Sequence, residues 1–188
     1  MWSIGLVLLA AAGLGLRHAT DPDHLAAVTA LAADGNGGAA RLGLVWGLGH
    51  GTSLVALGVP VLLWRAYLPA AVVQAAEVTI GVVIVALSIS LLRRAQLHAI
   101  PRRTPRKAFG IGILHGIGGS GAVGVLLLST IPERPVALVA LVLFAGCAGL
   151  SMGALSTVLG RVGRVRGATP AIGVAGVAFG CVYALAAL

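Results

Sequence analysis

Acidic residues are the scarcest chemistry in this 188-residue chain, with 5 Asp and Glu against 13 Lys and Arg. All charged residues together make up 10% of it, where a soluble domain carries about 25%. That deficit argues against a water-exposed globular fold. Aromatic residues are only 4%, so interfacial belts are thin and any core is built from Leu, Val, Ala and Gly. The two cysteines, Cys147 and Cys181, lie far apart in apolar runs and form no CxxC pair. A disulfide framework or dithiol redox centre is thereby disfavoured, and both read as small core residues. Gly118-Gly119-Ser120-Gly121 has the glycines of a phosphate loop but no lysine after it. The N-terminal run lacks the basic n-region of a signal peptide, and cleavage after Ala10-Ala11-Ala12 would destroy an apolar span.

What is present is 59% hydrophobic residues and a mean hydropathy of +1.04. They fall into runs of about 20, the length that crosses a bilayer as a helix. The fold expected is all-α and polytopic, with six spans at about Ser3–Ala33, Leu42–Trp64, Ala71–Leu92, Phe109–Thr130, Val136–Leu159 and Pro170–Leu188. The 28 glycines suit close helix–helix approach in lipid.

A net charge of +8 raises the possibility of nucleic acid, but the basic residues sit in short loops between apolar runs. Such a distribution encodes topology, so no nucleic-acid partner is expected. The first, third and fifth loops hold Arg41, then Arg93, Arg94, Arg102, Arg103, Arg106 and Lys107, then Arg161, Arg164 and Arg166. The second and fourth hold only Arg65 and Arg134. This asymmetry puts the odd loops in the cytoplasm and both termini outside a cytoplasmic membrane. The 93–107 loop is also a candidate contact for lipid headgroups.

One stretch breaks the apolar pattern. Gly15-Leu16-Arg17-His18-Ala19-Thr20-Asp21-Pro22-Asp23-His24-Leu25 sets two imidazoles, two carboxylates and a guanidinium inside the first span. Ionisable groups at membrane depth are costly and functional by default. On an ideal helix His24 lies about 240° around from His18, so the pair converges only if the helix opens between them. Pro22 stands where it must open. Imidazole plus carboxylate is a ligand set for Ni²⁺, Co²⁺ or Zn²⁺, and no nearby Cys or Met points to Cu⁺. The metal-ligand candidates are His18, Asp21, Asp23, His24 and His50, the last in Leu48-Gly49-His50-Gly51-Thr52-Ser53. Asp21 is either a ligand or the cap of the second half-helix. Arg17 either neutralises the carboxylates or snorkels to an interface. Glu77 is a pathway carboxylate or an interfacial residue. His115 and Ser120, in a glycine-rich segment of the fourth span, are pathway candidates and suggest a second broken or closely packed helix. His98, in the basic loop, reads as solvated.

Gly15-Leu16-Arg17-His18-Ala19 lines up with Gly112-Ile113-Leu114-His115-Gly116, and the same offset sets His50 opposite Cys147. Two halves of three spans each, 1–92 and 108–188 around the basic loop 93–107, would then have opposite orientations. Inverted repeats around a midplane site are a transporter design.

Arg17-His18-Ala19-Thr20-Asp21-Pro22-Asp23-His24 resembles the HX4DH signature of the nickel/cobalt transporter family, and Leu48-Gly49-His50-Gly51-Thr52 is similar to that family's second motif, usually Leu-Gly-His-Ser-Thr. The resemblance implies secondary transport of Ni²⁺ or Co²⁺ as cargo with no resident cofactor. It carries metal recognition onto His18, Asp23 and His24, with Asp21 and His50 beside them. Pro22 replaces the alanine usual between the two aspartates. The acidic motifs of the longer, eight-span members have no counterpart, and the His115 segment resembles the short six-span, urease-accessory-type members. The expected partners are a divalent metal ion and membrane lipids.

Other classes compete. His18-x4-Asp23 also matches the HX4D dyad of glycerolipid acyltransferases, but no downstream phosphate-binding motif follows, so no enzyme is expected. An electron conduit of the wider lysine-exporter superfamily needs cysteines where His18 and His115 stand. A membrane accessory protein without transport of its own is the remaining alternative.

Overall fold

The computed structural model describes residues 3–32, 38–65, 69–97, 104–118, 120–162 and 168–188, excepting the side chains of residues 31, 94–97 and 120–123. Within them every regular element is a helix, and there are no strands. The helices are α1 (Ile4–His18), α2 (Pro22–Ala32), α3 (Ala39–Trp64), α4 (Ala70–Leu97), α5 (Pro105–Ile117), α6 (Ser120–Leu128), α7 (Arg134–Val162) and α8 (Ala168–Ala186).

Four helices have the length and apolarity to cross a membrane: α3, α4 over Ala70–Arg93, α7 and α8. A fifth crossing is available if α1 and α2, bent by 50° at their junction, count as one broken span. The outside of the bundle is oily. Leu9, Leu48, Leu150 and Val182 are each more than 60% exposed. A surface of this kind suits lipid and not water.

The break between α1 and α2 lies where Pro22 requires it. The α1 helix closes in tight turns, with the Thr20 N–H donating to the Arg17 carbonyl at 2.8 Å and the Asp21 N–H to the His18 carbonyl at 3.1 Å. Proline then opens α2 at the position where its missing N–H costs nothing, and the Asp21 carbonyl accepts from the Leu25 N–H at 2.9 Å. The segment expected at 109–130 is also interrupted. The α5 helix stops at Ile117, Gly118 is extended (φ −118°, ψ −174°), and α6 resumes at Ser120.

Two helix bounds fall inside the stretch read as a basic loop. The α4 helix runs five residues past Leu92, to Leu97, and α5 begins at Pro105. Arg, Gln and Leu after residue 92 are good helix formers and carry the helix beyond its apolar part. At the other side the Thr104 hydroxyl accepts from the Lys107 N–H at 3.4 Å, with Pro105 in the first turn. His98 lies outside the described residues.

Packing centres on α3, which lies against α7 and α5, while α1 lies against α7 and α4 against α8. Lipid supplies no hydrophobic drive between helices, so close van der Waals approach must hold them. A Cβ on Gly47 would stand 2.7 Å from the Gly149 Cα, which fixes the α3–α7 crossing. Gly112 and Gly116, four apart on α5, press against the backbone of α3, Gly112 on the Trp46 carbonyl and Gly116 on Ser53 and the His50 carbonyl. On α1, Gly15 presses on the Phe144 carbonyl, and its Cβ would stand 2.9 Å from that of Cys147 on α7.

These contacts predict opposite outcomes for two substitutions on one helix. Gly112→Ala pushes a methyl into the Trp46 carbonyl and should lower stability by about 1–3 kcal/mol. Nothing lies within 4 Å of the Cβ position at Gly110, so Gly110→Ala should be neutral or stabilising by up to about 1 kcal/mol. Thermal unfolding in detergent compares the two.

Candidate metal centre

Four helices deliver one residue or more each to a closed polar cluster. His18 is the last residue of α1, Asp23 and His24 lie in the first turn of α2, His50 is midway along α3, and His115 is near the end of α5. All five are buried; His24 and His50 are fully so. The break at Asp21-Pro22 brings His18 and His24 together, with ring centroids 4.4 Å apart. The glycine contacts of α5 bring His115 to the same place, 4.7 Å from the His24 ring.

Two carboxylates orient two imidazoles in the same way. His18 Nδ1 bonds Asp21 Oδ2 at 3.0 Å, and His24 Nδ1 bonds Asp23 Oδ1 at 3.0 Å. Donation of Nδ1–H to a carboxylate leaves the lone pair on Nε2, the arrangement that orients metal-binding histidines. His18 Nε2 meets His50 Nε2 at 2.9 Å. His115 Nε2 stands 3.5 Å from Asp23 Oδ2, beyond hydrogen-bond length.

The cluster is therefore left with unpaired atoms. Asp23 Oδ2, His24 Nε2, His50 Nδ1 and both ring nitrogens of His115 are buried with no hydrogen-bond partner among the described residues. Each such atom costs about 1–3 kcal/mol, so stability alone does not account for the group. Three-ligand sets that can hold an ion are His18, His24 and His50, and Asp23, His24 and His115, the atoms of each lying within 4.8 Å of one another.

Of the sequence candidates, His18, Asp23, His24 and His50 converge as ligand-bearing groups. Asp21 belongs to neither set: its backbone starts α2 while its side chain holds the outer nitrogen of His18. His115, read from the sequence as a pathway residue, lies inside the same cluster. Arg17 is exposed, and no ion pair joins it to Asp21 or Asp23 among the described residues. Glu77 is half-buried on α4, its backbone N 3.2 Å from the Cβ position of Gly118 where α5 ends. Ser120 opens α6, and its side chain is outside the described residues.

Trp46 was missed from the sequence. It is fully buried, and its ring lies 5.5 Å from His24, 5.4 Å from His115 and 6.2 Å from His50. The signal was its spacing: Trp46 sits one helical turn before His50, on the same face of α3. Phe144, 5.3 Å from His18, closes the α7 side.

No family model matches the chain, and no solved structure matches it. A relative from Bacillus sp. (strain TB-90), the urease accessory protein UreH, is 27% identical over 166 residues, covering 78% of this chain and 73% of the relative.

Trp46 makes the centre observable. Ni²⁺ or Co²⁺ added to the purified protein should quench tryptophan fluorescence. Trp46→Phe should remove the quenched component, whereas Trp64→Phe, changing a residue 71% exposed at the end of α3, should keep it. Equal quenching in both variants would place the ion elsewhere.

Proposed function

We propose that this chain is a secondary transporter that carries a divalent transition-metal cation, Ni²⁺ or Co²⁺, across the cytoplasmic membrane through the His/Asp cluster. The observation that carries this reading is the set of buried, unpaired atoms, Asp23 Oδ2, His24 Nε2, His50 Nδ1 and both ring nitrogens of His115, with the outer nitrogen of His24 already held by Asp23. In a bilayer such a set is expensive unless an ion or proton visits it. Imidazole and carboxylate suit the borderline divalent metals. A relative named as a urease accessory protein fits a nickel-related role.

In this reading the chain crosses six times. The pairs α1–α2 and α5–α6 are the two broken spans, each followed by two continuous ones. Packing supports a 3+3 inverted repeat: Gly15 against Phe144 and Cys147 mirrors Gly112 against Trp46 and His50. One sequence offset relates Gly15 to Gly112, His18 to His115 and His50 to Cys147. The basic-loop asymmetry puts both termini outside and residues 93–107 in the cytoplasm. A midplane site between two broken helices suits alternating access. The metal is cargo, and no resident cofactor is invoked.

The geometry weighs against acyl transfer. An HX4D dyad needs His18 paired with Asp23, but His18 bonds Asp21 and Asp23 bonds His24. An accessory protein that binds metal without moving it is the second reading, favoured by the relative's name.

Proteoliposomes loaded with a nickel-sensitive dye separate the two readings. Uptake that requires this protein supports transport, and binding without uptake supports the accessory role. Within the transport reading, His18→Ala and His24→Ala should abolish uptake with the protein still in the membrane. Asp21→Asn, which loosens the His18 ring without removing a ligand, should lower metal affinity by about 10–100-fold. His98→Ala should be near neutral. A reporter fused after Leu188 should be active outside the cytoplasm; activity only inside would overturn the orientation.

A further inference from the structure

The five buried groups do not fall into one ligand set. His24 is the centre of the cluster, with ring centroids 4.4 Å from His18, 4.8 Å from His50 and 4.7 Å from His115. His50 and His115 are farther from each other, at 6.4 Å. The two three-ligand sets share only His24. Trp46 packs against both His50 and His115. A metal–nitrogen bond is about 2.0–2.1 Å, so ligand atoms on one ion lie within about 4.2 Å of one another, and the two sets describe two ion positions.

We infer that the cluster offers its cation two alternative positions, one held by His18, His24 and His50 and the other by Asp23, His24 and His115, and that the ion steps between them on His24. The inference rests on the metal-transport reading above. The first position is all imidazole and spans α1, α2 and α3. The second adds one carboxylate oxygen and spans α2 and α5. Because His24 belongs to both and offers one free lone pair, on Nε2, a single ion occupies the cluster at a time. The two positions depend on different helices, His18 and His50 on α1 and α3, His115 on α5. A small shift of α5 relative to α3 changes which position is better formed, and conduction in such sites requires binding weak enough to leave. His115 is thus a ligand in its own right, and Asp23 serves both as the orienting partner of His24 through Oδ1 and as a ligand through Oδ2.

Equilibrium dialysis with Ni²⁺ alone tests this on the full chain. The proteins are the wild type, His50→Gln, His115→Gln, the double variant and His24→Gln, each checked for monodispersity by size exclusion. The wild type should bind one ion per chain. Each single variant should still bind one ion through the position it retains, and at least one of them should do so within about twofold of the wild type, as for two states in parallel. Both should lose at least about tenfold in proteoliposome uptake. The double variant and His24→Gln should lose about 10–100-fold or more in affinity. If both single variants lose tenfold or more in affinity, the ligands form one undivided site and the inference fails while the transport reading stands. If the double variant binds like the wild type, the inference fails too. A wild type that binds no Ni²⁺ overturns both readings. Should a variant not fold, anomalous scattering at the nickel edge from wild-type crystals decides. Two peaks flanking His24 with occupancies summing to a single ion are expected, and one peak within reach of all five residues overturns the two-position arrangement.

Discussion

Buried nitrogen and oxygen without partners is the constraint on which the rest of this molecule turns. In a bilayer core there is no water to satisfy such atoms, and few residues are less suited to lipid than a histidine that must keep a lone pair free. Every feature around the cluster limits that cost. Asp21 and Asp23 each take one imidazole N–H, so half of each ring is satisfied internally. Trp46 and Phe144 seal the flanks with aromatic faces. The helices close over the group until the five members are between 0% and 5% exposed. What remains unpaired is what an incoming cation would pair.

Reaching that geometry demands backbone where most proteins place side chains. His50 and His115 come together only because α3 and α5 touch at Gly112 and Gly116, where a single methyl would collide with the facing helix. The α3–α7 crossing works the same way at Gly47 and Gly149. Apolar burial does not drive helices together in lipid, so small residues serve two ends at once: they supply contact area and they set the separation that puts ring nitrogens within reach of one another. The breaks have a related logic. A continuous helix through Asp21 would send His18 and His24 to different faces, and the 50° bend at that point turns them toward each other.

Much of this was legible in the sequence, for a physical reason. Charge inside an apolar run is so unfavourable that His18, Asp23 and His24 could be singled out without any structure, and Pro22 between them indicated the bend. His50 followed because it sits among small residues at a similar depth. Less visible were the roles that depend on which atom faces which. Asp21 looked equally like a cap and a ligand, and it turns out to start α2 with its backbone and to hold His18 with its side chain. Arg17 reads from the sequence either as a counter-charge or as a snorkelling residue, and it is exposed, directly before the buried His18. Trp46 was overlooked because an aromatic residue in an apolar span carries no signal of its own; only its one-turn spacing from His50 does. The ends of α4 and α5 were misplaced because apolarity marks where lipid stops, not where a helix stops.

The position of His115 ties these points together. Sequence alignment of the two halves pairs it with His18, which suggests equivalent roles on opposite walls. In the fold the two histidines are not equivalent: His18 is held by a carboxylate on its outer nitrogen, while both nitrogens of His115 are without a hydrogen bond. Cys147, which the same offset pairs with His50, contributes no imidazole to the cluster and packs beside Gly15 instead. On the proposed inverted-repeat reading, halves that began alike would have diverged in this way if one came to position the ligands and the other to let the ion move. A held ring defines a site, and an unheld ring can follow its helix. On the proposed transport reading both are needed, because a cage in which every ligand is fixed binds well and releases poorly, and one in which none is fixed cannot select its ion.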